Sequence, residues 1–119
     1  VPFHRIIPGF MIQAGDPVGP QPGTGGPGYT IPDELPTGDD PYPAGTMAMA
    51  NTGQPNSGGG QFFITVEGGG DQLTPTYTAF GRVTEGQDVV DAINEHGLSA
   101  ENGAPTQLIL ITDVTITES

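Results

Sequence analysis

Prolines decide where regular structure can run in this chain. Pro17, Pro20, Pro22, Pro27, Pro32, Pro36, Pro41 and Pro43 follow one another between Gly15 and Gly45. Each fixes φ and removes a backbone donor, so this stretch reads as loop. A load of 20 glycines and 13 prolines in 119 residues elsewhere accompanies disorder. Here most of them lie between Gly15 and Gly60, and the flanks keep ordinary strand-forming sequence. The length suits one domain, residues 1–119, with one core. That core has to come from short runs on either side of a turn-rich loop.

The run Phe3–Asp16 supplies the first of them. Pro8-Gly9 breaks the extended sequence between Ile7 and Phe10, which predicts two strands turned back on each other. Side chains alternate across a pleated backbone, so Phe10, Ile12 and Ala14 are expected on one side and Met11 and Gln13 on the other. Arg5, the only basic residue in the first two thirds of the chain, then lies beside the Met11/Gln13 side. Gln61–Val66 repeats the pattern: Phe62, Ile64 and Val66 point one way, and Gln61, Phe63 and Thr65 the other. The two runs read as two strands offering one mixed surface.

Gly45–Ala50 reads as a short strand with Met47 and Met49 on one side. Gly68-Gly69-Gly70 reads as a flexible turn leading to a loop and a strand over Thr78–Val83. Thr84-Glu85-Gly86-Gln87 matches a capping box, and Val89, Val90, Ala92 and Ile93 form an apolar stripe that Gly97 ends, which predicts a single helix. Leu108–Glu118 is expected as a closing strand, bent near Thr112 where the apolar parity is interrupted. The pattern is mainly β, fitting a barrel or part of one.

Charge and composition exclude several classes of function. Fourteen acids against two arginines and no lysine give a net charge of -12, whereas nucleic-acid binding needs clustered cations. An anionic membrane surface is excluded on the same ground, and no stretch approaches the ~20 apolar residues of a membrane span. A lysine-free acidic surface suits an extracytoplasmic or secreted setting. The chain starts at Val1 without a signal sequence and reads as a piece of a longer protein. There is no cysteine, so disulfides and thiolate metal sites are ruled out. Asp33, Glu34, Asp39 and Asp40 lack the EF-hand spacing and read as a solvated acidic loop. The Gly-x-Gly-x-x-Gly at Gly23, Gly25 and Gly28 follows prolines and has Pro27 inside it, so it is no phosphate loop. Neither metal nor organic cofactor is expected.

Two blocks carry a resemblance. Phe3–Asp16 matches, almost unchanged, the Phe-His-Arg-Ile-Ile-Pro-Gly-Phe-Met-x-Gln-x-Gly-Asp run of the cyclophilin family of peptidyl-prolyl isomerases. Met49-Ala50-Asn51-Thr52-Gly53 and Gly60-Gln61-Phe62-Phe63-Ile64 resemble that family's next two elements in the expected order, and Phe80-Gly81-Arg82-Val83 follows. The resemblance spans Phe3 to Glu118. It implies a mainly β, cyclophilin-like antiparallel β-barrel with one helix in the C-terminal half, lacking the family's first two strands and first helix. A missing N-terminal segment, or another chain, would then complete the barrel.

The resemblance also implies roles. Arg5 is the donor to the prolyl nitrogen, and Gln13 orients it and contacts the substrate backbone. Phe10, Met11, Phe63 and Leu73 form the pocket for the proline ring. Asn51, with Ala50 beside it, holds the residue before the proline, and Gln61 borders the groove. Tyr77 stands where many members have His and keeps an aromatic wall with a polar tip. Gln72 replaces a Trp, which implies weaker binding of the cyclic immunosuppressant peptide. Thr52 stands where Ala is frequent, implying a tighter side pocket.

The residue inventory agrees with a reaction that needs no nucleophile. There is no cysteine or Gly-x-Ser-x-Gly elbow, and neither His4 nor His96 has a nucleophile beside it. Rotation about an X-Pro bond asks for a donor to the amide nitrogen, a pocket and a backbone clamp. The expected function is peptidyl-prolyl cis-trans isomerisation assisting protein folding, with proline-containing peptides or unfolded proteins as partners. The alternative is a non-catalytic module that binds proline-containing segments.

Overall fold

Residues Arg5–Ile7 (β1) and Met11–Ala14 (β2) pair antiparallel in the register Arg5 to Gln13, Ile6 to Ile12 and Ile7 to Met11. The computed structural model describes residues 3–15, 29–38, 40–51, 53–95 and 109–117, the Gln72 side chain excepted. Three more strands follow: Thr46–Met49 (β3), Phe62–Thr65 (β4) and Ala79–Arg82 (β5). They form one antiparallel sheet in the order β1-β2-β4-β3-β5, with a bulge where β3 meets β5 between Met47 and Ala48. The helix α1 spans Gln87–Asn94.

Alternation along the strands splits the buried residues into two clusters. Phe3, Ile6, Ile12, Ala14, Ile64, Val66 and Val90 make one, and Met11, Tyr42, Ala48 and Phe63 make the other. Ile6 and Ile12 are wholly buried, and each such side chain is worth about 1.5–3 kcal/mol. A one-residue slip of β2 would turn Ile12 and Ala14 out of their cluster, so burial on both sides fixes the register that aligns Arg5 with Gln13.

An eight-residue helix is marginal alone, since isolated helices need ~12–15 residues. Docking holds α1. Val90 is buried and Ile93 packs against the same cluster, while Val89 is 55% exposed and Ala92 is exposed. The inward face is completed by a polar residue, Asn94, which the apolar stripe did not include. Its Oδ1 accepts from Gly9 N at 2.8 Å, and its Nδ2 donates to Ile7 O at 2.8 Å and Met11 O at 3.1 Å. The β1–β2 turn, where Gly9 takes φ +75°, is thereby tied to the helix.

Several sequence expectations are corrected. Phe10 does not share a side with Ile12 and Ala14. It closes the turn by donating its N–H to Ile7 O at 3.0 Å, which breaks the alternation, and it packs with Met11 and Phe63. No capping box forms: the N-cap is Gly86 at φ 97°, without a side-chain cap. Its carbonyl accepts from Val89 N and Val90 N, and Gln87 instead donates to Asp91 one turn on. The left-handed turn required on leaving β5 suits glycine and displaces the Thr84-led start.

The triple glycine is not a flexible turn. Gly69–Gln72 is a 3-10 turn, and a Cβ on Gly69 or Gly70 would run into the carbonyl of Phe10 or Tyr42. The closing strand is not formed over 109–117, which shows an isolated bridge at Leu110 and, among the described residues, a backbone bond from Phe3 N to Ile109 O at 3.0 Å. A ladder needs a neighbour along its length, and among the described residues the backbone bonding reaches no further than Phe3; Val114 and Ile116 are 62% and 82% exposed. Among the described residues β1 and β5 are edges, so the antiparallel fold with one helix stands but the sheet is not closed into a barrel. The glycine motif at Gly23, Gly25 and Gly28, and Asp39, Thr52, His96, Gly97 and the Gln72 side chain, lie outside the described residues. Asp33 of the acidic loop exchanges hydrogen bonds with Asn56, N to Oδ1 at 2.7 Å and Oδ2 from N at 2.9 Å.

Candidate active site

Pairing of β1, β2 and β4 sets three polar side chains in a row. Arg5 lies across from Gln13, and Gln13 across from Phe63. Arg5 Nη1 donates to Gln13 Oε1 at 3.3 Å, and Gln13 Nε2 donates to Gln61 Oε1 at 3.0 Å. Gln13 is 8% exposed, and a buried amide is costly unless both ends are bonded. The guanidinium can only donate, so it fixes which end of Gln13 faces it. Polarity therefore runs one way along the row, from Arg5 to Gln61.

Beside this row lies a cavity of about 170 Å³ lined by Arg5, Phe10, Met11, Gln13, Ala50, Asn51, Phe63, Leu73 and Tyr77. Of the residues singled out from the sequence, all but Gln61 line it, and Gln61 backs it through Gln13. The apolar members come from separate parts of the chain: Phe10 from the β1–β2 turn, Met11 from β2, Phe63 from β4, Leu73 and Tyr77 from the segment after the 3-10 turn. The Tyr77 ring meets Phe63 edge to face, 5.4 Å between centroids at 88°, a favourable aromatic geometry.

Asn51 follows β3 with its side chain already engaged. Nδ2 donates to Thr76 O at 3.1 Å, and Oδ1 accepts from Gly53 N at 3.0 Å. Its backbone is left as the part suited to contact an extended peptide. Arg5 is half-buried, a cation edging a cavity otherwise walled by uncharged groups. The second arginine, Arg82, is exposed on the edge strand β5. His4 does not line the cavity. Among the described residues no three His, Cys, Asp or Glu side chains group so as to hold a metal.

Two supporting residues escaped the sequence reading. One is Asn94, which fixes the turn that carries Phe10. The other is Tyr42, 1% exposed, whose hydroxyl donates to Tyr77 O at 2.6 Å and accepts from Tyr77 N at 3.0 Å. Burial pushes the Tyr42 phenol above its usual value of 10.0, against the Tyr77 backbone hydrogen bond, which favours the phenolate. An aromatic between two prolines at the end of a polar loop was the available signal for it.

Comparison with known proteins supplies a frame for this geometry. The family model described as cyclophilin type peptidyl-prolyl cis-trans isomerase/CLD matches residues 1–116. A Mycobacterium leprae protein named probable peptidyl-prolyl cis-trans isomerase A is 47% identical over 119 residues, covering 96% of this chain and 61% of that protein. Peptidyl-prolyl cis-trans isomerase B of Streptomyces anulatus is 43% identical, with 96% and 64% covered. The chain thus spans less than two thirds of these relatives' length. A crystal structure of a Cryptosporidium parvum cyclophilin type peptidyl-prolyl cis-trans isomerase superposes with a TM-score of 0.81 at 33% identity, over 99% of this chain and 74% of the other.

Proposed function

This chain belongs to the cyclophilin-type peptidyl-prolyl cis-trans isomerase family, and from that premise we propose that it catalyses rotation about X-Pro peptide bonds in the cavity beside Arg5. The X-Pro bond resists rotation with a barrier near ~20 kcal/mol because the nitrogen lone pair is delocalised into the carbonyl. As the bond twists, the lone pair returns to a pyramidal nitrogen. A donor held there binds the twisted state better than either planar state, which is the condition for acceleration.

Arg5 is that donor in this reading. Gln13 fixes one face of its guanidinium, and Phe10, Met11, Phe63 and Leu73 take the proline ring. The Asn51 backbone, with Ala50 beside it, holds the residue before the proline, Tyr77 walls the pocket, and Gln61 holds Gln13. No bond is made or broken and no proton is transferred. An acceleration of ~10⁵ requires lowering the barrier by about 7 kcal/mol. One preorganised donor in a dry site is worth ~3–4 kcal/mol, less for a half-buried group such as Arg5, so the backbone clamp supplies the larger part. The observation that carries the reading is the Arg5–Gln13–Gln61 row set against an apolar cavity. Partners are proline-containing peptides and unfolded proteins.

NMR exchange spectroscopy on an Ala-Pro peptide tests it. Faster cis-trans exchange with the protein, lost in Arg5→Ala, is the expected result. Binding with exchange no faster than in free peptide replaces it with the alternative, a module that only holds proline-containing segments.

A further inference from the structure

The cavity wall made by Leu73 and Tyr77 belongs to a segment with no ladder to hold it. Residues 73–78 lie between the 3-10 turn and β5 without helix or strand. Backbone groups there find partners singly or not at all. Thr76 O accepts from Asn51 Nδ2 and Thr78 O from Met49 N, and between them Tyr77 is held by a residue more than thirty positions earlier. Tyr42 sits between Pro41 and Pro43, and the Pro43 carbonyl accepts from Thr46 N at 3.1 Å and Thr65 Oγ1 at 2.9 Å. Its position is therefore set by the sheet. From there it touches the 3-10 turn that leads into the wall segment and the far end of the segment itself. Its carbonyl stands where a Cβ on Gly70 would fall, and its hydroxyl is bonded to both backbone groups of Tyr77.

We infer that Tyr42 is a positioning residue for the proline pocket: its hydroxyl locks the Tyr77 backbone, and so sets where the Tyr77 ring stands against Phe63 and how wide the pocket is. The inference rests on the isomerase reading for its kinetic consequence, but the lock itself does not. Tyr42 does not line the cavity and touches no substrate. Its ring is packed in the cluster with Met11, Ala48 and Phe63, but both hydrogen bonds of its hydroxyl go to the Tyr77 backbone, so the effect of the hydroxyl passes through Tyr77. A pocket wall contacts the proline ring in the planar and twisted states alike, so loosening it raises KM and leaves kcat nearly unchanged.

Tyr42→Phe keeps the ring and removes only the hydroxyl. In the full-length protein, amide hydrogen exchange at Tyr77 is expected to quicken at least ~10-fold while the amides of β2 and β4 hold their wild-type rates. KM for an Ala-Pro peptide is expected to rise about 5-fold, the equivalent of one ordinary buried hydrogen bond, with kcat within about 2-fold. In a Tyr77→Ala background the same change is expected to leave KM where it was. An unchanged Tyr77 exchange rate overturns the inference, as does an equal KM rise with Tyr77 absent. Should Tyr42→Phe fail to fold, the wild type decides: a Tyr77 amide protected like those of β4 sustains the lock, and one exchanging at free-peptide rates removes it. If wild type and Arg5→Ala alike give no acceleration, the isomerase reading falls, while the exchange rates still judge Tyr42.

Discussion

Arg5 and Gln13 are direct partners across the β1–β2 ladder, and the guanidinium donates to the amide oxygen at 3.3 Å. Gln13 passes the bond on to Gln61, so the row works as one unit. Gln13→Ala is expected to lower kcat/KM by ~10–100-fold, since a hydrogen bond to a charged group is worth about 1.5–3 kcal/mol. Gln61→Ala alone is expected to do less. In the double variant the Gln61 change is expected to add almost nothing, because its route to Arg5 through Gln13 is already gone. Peptide-exchange kinetics on the three variants check this, and fully additive losses would show that the row is not a unit.

Asn94 bonds to the β1–β2 turn at three points. Asn94→Leu removes these three bonds and sets an apolar side chain against the turn, where Ile7 O keeps its bond from Phe10 N and the buried bond to Met11 O is lost. Each unsatisfied buried group costs about 1–3 kcal/mol, so the variant is expected to lose ~2–4 kcal/mol in urea unfolding. Phe10 sits at the end of that turn, so peptide affinity is expected to fall as well. A loss under about 0.5 kcal/mol would mean that water or relaxation replaces Asn94 at no cost.

These two sites also mark what could be read from the sequence. The register of β1, β2 and β4 follows from period-two alternation and the Pro8-Gly9 break, so the placing of Arg5, Gln13 and Phe63 together was legible. Phe10 was misplaced because a turn ends the alternation one residue before the strand begins. Asn94 and Tyr42 were missed for one shared reason: each acts on a backbone far off in sequence, Tyr42 on Tyr77 and Asn94 on Gly9, and no local period encodes such a contact. The Thr84 capping box satisfied a local rule, and the left-handed turn at Gly86 overrode it. The closing strand changes its apolar parity between Ile111 and Val114, so no single face runs its length, and among the described residues its backbone bond reaches Phe3 and no further.

Gly70 allows the 3-10 turn to press against Tyr42. Gly70→Ala would put a methyl group into the Tyr42 carbonyl, and the Tyr42 backbone cannot yield without dragging Pro43 off Thr46 and Thr65. Overpacking of this kind costs about 1–3 kcal/mol, and the expected result is a lowered Tm together with weakened peptide binding. Gly68→Ala, two residues earlier, meets no atom, but its φ of +79° makes the cost conformational, about 1 kcal/mol. The contrast is the check: binding weakened by Gly70→Ala and spared by Gly68→Ala locates the effect at Tyr42.

Alkaline pH provides a separate handle on Tyr42. Burial raises its phenol above 10.0, the Tyr77 backbone bond partly opposes this, and the neighbouring Tyr77 adds to the rise. The native state therefore keeps this proton at pH values where the unfolded chain has released it. Stability falls wherever the native state binds more protons than the unfolded one as pH rises. The contribution of Tyr42 is thus fully present below about pH 10, the ordinary phenol value, and is lost as pH climbs through its raised folded value. Thermal melts of wild type and Tyr42→Phe across alkaline pH isolate it, because the other tyrosines are common to both proteins. The gap in Tm is expected to be constant from pH 7 to 9 and to close above about 10. A gap that widens with pH would mean that the buried hydroxyl is easier to ionise than a free phenol, contrary to its burial.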